Sequence, residues 1–222
     1  MQPEKSPAAS SRPASSRRKW LGCCEQFRLP TLLQRYPPRL VWAAFMLVNG
    51  FLTIGLLAVV AMMSGTPFVF PSLGPTAYLL FDQPMQPASS PRNTIFGHAV
   101  GIVCGFGSLW LFGLTHHPPA SVEGGELARV FCSALALSST GALMILLDIS
   151  HPPAGATTLI IALGIITQPY QLLIVEGAVA LLVFQALAIN RLAGLDYPVW
   201  AVGPHLKANQ EQAETVTNHP DV

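Results

Sequence analysis

Ser150-His151-Pro152-Pro153-Ala154-Gly155-Ala156-Thr157-Thr158-Leu159-Ile160 joins two long apolar segments of a 222-residue chain. Two consecutive prolines are excluded from a helix interior, because each removes a backbone donor and its ring clashes with the preceding turn. They suit the first turn of a helix. A short helix is therefore expected to begin near Pro152, with small and hydroxylated residues in its first turns. Irregular backbone at membrane depth is tolerated only where protein or a water-filled cavity surrounds it. The stretch reads as part of a transport or binding site; the plainer reading is a surface turn between two spans.

The composition supports a membrane setting. The chain is 51% hydrophobic and only 10% charged, with mean hydropathy +0.46, whereas soluble domains carry about a quarter charged residues. A net charge of +1 gives no reason to expect nucleic acid as a partner. Lys5, Arg12, Arg17, Arg18, Lys19, Arg28, Arg35 and Arg39 all precede the first apolar run. The positive-inside rule then keeps this end cytoplasmic, or stromal or matrix-facing in an organelle. Residues 1–39 form a basic segment, and its Ser/Pro/Ala/Arg-rich start is expected to be disordered. Cys23, Cys24, Cys104 and Cys132 lack metal-site spacing, so neither zinc nor a disulfide framework is expected.

Four uncharged or nearly uncharged runs are long enough to cross a core of about 30 Å. They are 41–63, 94–115, 127–147 and 171–190. The second contains His98, the third starts near Arg129, which is expected to snorkel to the interface, and the fourth carries Glu176. Two shorter apolar stretches, 65–81 and 152–167, lie between the first and second runs and between the third and fourth. Each fits a half-span or re-entrant helix. They also resemble each other. Aligning Gly74 of Pro71-Ser72-Leu73-Gly74-Pro75-Thr76 with Gly155, an offset of 81, puts Thr76 on Thr157. This implies two similar three-element halves, about 41–115 and 127–192. Paired Pro/Gly-interrupted segments in corresponding positions point to a transporter's binding site.

If the short helices cross, there are six crossings and the halves are inverted. If they re-enter, there are four and the halves are parallel. The loop 116–126 contains Glu123 and Glu126 but no Lys or Arg, which favours an outside location and six crossings. Both arrangements return the C-terminus to the cytoplasmic side. The segment 193–222 is a polar tail, expected to be disordered after Asn209.

His151-Pro152-Pro153-Ala154-Gly155-Ala156-Thr157 resembles the signature of the HPP family of integral membrane proteins. Ser72-Leu73-Gly74-Pro75-Thr76-Ala77-Tyr78-Leu79-Leu80-Phe81, and Gln86 through Pro91-Arg92-Asn93 to Gly97-His98, resemble the same family. The resemblance covers residues 40–192, the whole transmembrane region. It implies a polytopic helical protein, usually described with four spans, and it implies transport, since some plant and cyanobacterial members carry nitrite. His117-Pro118-Pro119 lacks the Ala-Gly-Ala-Thr continuation and reads as a turn.

The candidate residues follow from helix-end chemistry. Helix N-termini present unpaired N–H groups and partial positive charge, which suit small anions. Short helices are expected to start near Pro75 and Pro152-Pro153, with Ser72 and Ser150 as caps. Gly74 and Gly155 would admit an ion close to the backbone. Thr76, Thr157 and Thr158 offer hydroxyls, or ordinary interhelical hydrogen bonds. His151 offers a donor or a proton carrier, or simply a bond that holds the Pro-Pro turn; Asp148, three residues earlier, is a possible partner for it. Arg92 and Asn93 are candidates at a cavity mouth, with membrane anchoring as the alternative for Arg92. His98, Asp148 and Glu176 are the candidates for proton coupling.

The resulting expectation is an all-α membrane protein, a bundle of four long spans and two short broken helices. Its expected role is to transport a small inorganic anion, with nitrite implied by the family resemblance. A passive anion channel and a non-transporting sensor or assembly protein are the alternatives. No nucleophile–base pair or metal set suggests an enzyme, and no cofactor is expected. The expected partners are the anion and the lipid bilayer, with homo-oligomerisation open. A bacterial inner membrane is favoured over a plastid envelope.

Overall fold

The computed structural model describes residues 28–123 and 126–203. The basic residues before Arg28 and the tail from Pro204 onward, including the stretches expected to be disordered, lie outside the described residues. The described chain is all-helical, with α1 Leu29–Arg35, α2 Pro38–Ser64, α3 Leu73–Asp82, α4 Pro91–Leu111, α5 Ala120–Glu123, α6 Leu127–Leu146, α7 Ala154–Ala162 and α8 Pro169–Leu192. A 3-10 turn at Pro87–Ser89 precedes α4. Helices α2, α4, α6 and α8 are long and apolar enough to cross a bilayer.

Local sequence explains the boundaries. Ser90 caps α4 by accepting from Asn93 N–H, with Pro91 in the first turn, so the helix starts three residues before the expected run. It ends at Leu111 and not Thr115, because Gly113 turns the chain away at φ 68°. Gln168 and Gln171 form a reciprocal capping box that opens α8, again beside a proline. The short helices differ from expectation at their starts. Helix α3 begins at Leu73, two residues before Pro75, and α7 begins at Ala154, after both prolines.

Hydrogen bonds at the element ends fix the direction of every element. At one end of the bundle, Leu29 N–H donates to Ala193 O, joining the entry of α1–α2 to the exit of α8. Arg92 N–H donates to Trp200 O at 2.9 Å, bringing the start of α4 to the same end. Arg92 Nη1 donates to Asp148 O just past α6, and Asn190 Nδ2 donates to Leu80 O in the last turn of α3. At the opposite end, Ala120 N–H donates to Leu163 O, joining the exit of α7 to the loop after α4. The six elements α2, α3, α4, α6, α7 and α8 therefore alternate in direction. The half 41–115 starts at one end of the bundle and the half 127–192 at the other. The two stretches therefore run in opposite directions, with the short helices α3 and α7, of 10 and 9 residues, supplying part of each return between the four long helices.

Apolar side chains cover the outside. Leu47, Phe51, Met62 and Met63 of α2 and Leu146 of α6 are exposed, while Asn49, Thr53 and Leu57 of α2 turn inward at helical spacing. Lipid, the solvent for that outer face, is as apolar as the side chains it meets. Close approach and polar contacts must therefore hold the interior together. Arg129 supplies one such contact. It is 5% exposed and does not snorkel. Its Nη2 donates to Pro118 O at 2.8 Å and its Nη1 to Ala162 O at 3.4 Å, so it closes the C-terminus of α7, where cations are favoured.

Candidate functional site

The two short helices run in opposite directions and meet at α4. Thr76 lies in the first turn of α3, and Thr157 in the first turn of α7. Both reach His98, the eighth residue of α4, about 10 Å from its start at 1.5 Å per residue. Thr76 Oγ1 lies 2.9 Å from His98 Nε2, and Thr157 Oγ1 lies 2.8 Å from His98 Nδ1. Thr76 also donates to Ser72 O at 3.0 Å. That bond uses its only hydrogen, so His98 Nε2–H donates to Thr76 and the Thr157 hydroxyl donates to Nδ1. All three side chains are buried.

His151 stands beside this group. Its ring centroid is 5.0 Å from that of His98, and its Nδ1 lies 2.7 Å from Ala88 O in the 3-10 turn. A carbonyl only accepts, so Nδ1–H is the donor. Nε2 is buried and has no partner. Asp148 is therefore not the hydrogen-bond partner of the imidazole.

Glycines bring α4 and α7 together. A Cβ at Gly97 would lie 2.6 Å from His151 Cβ, one at Gly101 would lie 2.8 Å from both Ala154 O and Thr158 Oγ1, and one at Gly105 would lie 3.0 Å from Thr158 O. Gly97, Gly101 and Gly105 recur every four residues, so they form one stripe along α4. This small-residue spacing is a signature of close packing between membrane helices. The spacing is visible in the sequence, but glycine spacing alone does not show which neighbouring helix the stripe faces. The roles of Ala88 O and of Tyr197, which donates to Ser89 O, had no local sequence signal.

The other candidate residues take varied positions. Thr158 donates to Ala154 O and lies 3.0 Å from Thr140 Oγ1 of α6, so it joins α7 to α6 and not to His98. Ser72 occupies the N-cap of α3, but in helical φ/ψ; its hydroxyl makes no cap bond and is buried without a partner. Ser150 lies before the turn and does not cap α7. The first N–H groups of α7 are already used: Ala154, Gly155 and Ala156 donate to the carbonyls of His151, Pro152 and Pro153. Gly155 faces Leu137 of α6, and Gly74 and Pro75 are exposed. An ion approaching the backbone at either glycine would therefore not meet the histidines directly.

Arg92 and Asn93 hold the connection that leads into α7. Arg92 donates to Asp148 O at 3.0 Å, and Asn93 Nδ2 donates to Ser150 O at 3.4 Å. Asp148 itself adopts φ 51°, a conformation that aspartate tolerates better than most residues. Glu176 is the eighth residue of α8, which runs against α4. Equal depth from opposite starts puts it in the other half of the bundle from His98. Both its carboxylate oxygens are buried without a partner.

Two clefts adjoin the cluster. One, of about 470 Å³, lies between Pro75, Tyr78 and Leu79 of α3 and Pro152, Pro153 and Ala156. The other, of about 410 Å³, is lined by Gly141, Met144, Asp148, Ser150, His151 and Pro152. No group of three or more metal-ligating side chains occurs among the described residues, and Cys104 and Cys132 are free thiols. Burial pushes the Tyr197 phenol well above its ordinary range, so it remains a neutral donor.

Comparison with known proteins bears on the same residues. The family model for the HPP transmembrane region matches residues 35–198, which include both short helices and the histidine cluster. The chain belongs to the HPP family. A Dictyostelium discoideum protein described as a transmembrane protein is 30% identical over 152 residues, covering 67% of this chain and 48% of that one. This HPP chain thus spans about half the length of that relative. No solved structure matches it significantly.

Proposed function

We propose that this HPP protein transports a small inorganic anion, with nitrite the first cargo to test because of the family resemblance. One observation carries the reading: Thr76 and Thr157, which correspond at the offset of 81, hold the two ring nitrogens of a single buried imidazole. The helix starts that bear them converge there, and helix starts favour negative charge. An internal repeat underlies the arrangement. Helix α3 packs against α2 and α8, while α7 packs against α6 and α4. Exchanging α2 with α6, α3 with α7 and α4 with α8 maps this pattern onto itself. In inverted repeats of this kind, rocking one half against the other exposes a central site alternately to the two sides.

The enclosure of the cluster favours a carrier over an open channel: Thr76, His98, His151 and Thr157 are all at most 1% exposed. The direct test is nitrite uptake into sealed proteoliposomes, compared with His151→Ala and Thr157→Ala proteins that fold equally well. Saturable uptake with counterflow, lost in both variants, is the expected result. Absence of uptake in sealed vesicles rejects nitrite, and non-saturating flux without counterflow favours a channel.

A further inference from the structure

We infer that His151 carries a proton together with the anion, so that transport moves one proton with each small monovalent anion. This rests on the transport reading above and names its coupling.

The argument starts from one atom. His151 is 0% exposed, and its Nδ1–H is committed to Ala88 O. Nε2 of the neutral ring is then a bare lone pair, buried and without a partner, in the turn that opens α7. A buried polar atom without a partner calls for a reason. His98 does not share this state, since hydroxyls occupy both its nitrogens. Glu176 lies in the opposite half of the bundle. Among His98, Glu176 and His151, it is His151 that combines a place at the short-helix junction with an unoccupied ring nitrogen.

That nitrogen meets anions in two opposite ways. Its lone pair repels an anion; its N–H, once protonated, donates a charge-assisted hydrogen bond to one. In the empty site the positive end of α7 disfavours a charged ring. With an anion present, ring and anion neutralise each other, which lowers the cost of charge in a dry interior. The groups facing His151 are few. His98 faces it from α4, and Arg92, also of α4, donates to the carbonyl of Asp148. Asp148 shares the adjoining cleft, Tyr78 of α3 lies across the other cleft from Pro152, and α7 contains no titratable residue. The step is balanced. A proton from water on one side bonds to Nε2, an anion oxygen accepts Nε2–H, and on the other side that N–H bond breaks and the proton leaves with the anion. Nothing is oxidised or reduced.

The test uses proteoliposomes with nitrite outside and a pH dye inside. Initial rates are read above protein-free vesicles, because undissociated nitrous acid crosses bare lipid. His151→Asn is the chosen variant: its amide nitrogen takes the place of Nδ1 and keeps the bond to Ala88, but it has no atom at Nε2. The unsubstituted protein is expected to admit protons and nitrite at a ratio of about one, with a rate indifferent to an imposed potassium–valinomycin potential. The folded Asn variant is expected to lose nitrite entry, or to admit nitrite largely without protons, since it has no atom at the Nε2 position to carry one. Nitrite entry by the unsubstituted protein without protons, at a rate that follows the potential, overturns the inference and leaves the transport reading standing. So does an Asn variant with an unchanged ratio. No nitrite entry above protein-free vesicles overturns both. If the Asn variant misfolds, the ratio and potential dependence of the unsubstituted protein decide alone.

Discussion

Thr76 and Thr157 sit on opposite ring nitrogens of His98, at 2.9 and 2.8 Å. Residues far apart in the chain thus share one imidazole, and the two short helices are tied to the same turn of α4. Each threonine does for its own short helix what the other does for its counterpart.

Removing either hydroxyl therefore orphans a buried ring nitrogen. Thr157→Val, close in shape, is expected to cost about 1–3 kcal/mol of stability and to abolish nitrite uptake. Thr157→Ser is expected to retain both properties. Thermal melting in detergent alongside uptake checks this. A Val variant as stable and active as the Ser variant would break the link between the hydroxyl and the site.

The glycine stripe makes a sharper contrast within one helix. Gly101→Ala would put a methyl 2.8 Å from Ala154 O, and overpacking of this kind costs about 1–3 kcal/mol. Gly107→Ala meets nothing within 4 Å and is expected to be neutral or mildly stabilising, since alanine is the better helix former. Equal melting temperatures for the two variants would contradict the close packing of α4 on α7.

Arg129 tests the closure of α7. Arg129→Met removes the donor to Pro118 O and leaves Ala162 O only the long contact from Cys132 Sγ, with an expected loss of about 1–3 kcal/mol. Lysine is expected to recover only part of this, because a point charge cannot reproduce two forked bonds. Full recovery by lysine in melting experiments would mean that charge alone suffices.

Tyr197 predicts an alkaline limit. Its phenol is raised above the ordinary value, so the unfolded chain ionises first and the folded state holds the proton longer. Its contribution to stability is complete below about pH 10 and declines as pH rises above that value. Tyr197→Phe loses the hydrogen bond to Ser89 O at neutral pH but should flatten the alkaline decline. Parallel decline in both proteins would assign the effect to other groups.

Much of this was legible in the residues. Charge-free runs located the long helices to within a few residues, because lipid demands length and apolarity wherever a helix crosses. The prolines located the short helices but not their first residues. Helix α3 starts before Pro75 because proline lacks only a donor that a first turn leaves unpaired anyway. Helix α7 starts after Pro153 because the carbonyls of residues 151–153 take up the next three N–H groups in tight turns. Arg129 looked like an interfacial residue, since position along a run shows depth but not which face turns inward.

The sequence by itself determined the apolar helices and the family, because local composition and motif order suffice for these. The tertiary structure alone decided that the halves run in opposite directions, that both threonines meet on His98, and that Thr158 does not. It also decided that His151 spends one nitrogen on Ala88 and leaves the other bare. Those outcomes depend on which helix faces which, and on where each buried donor finds an acceptor. Both are settled only when the elements pack.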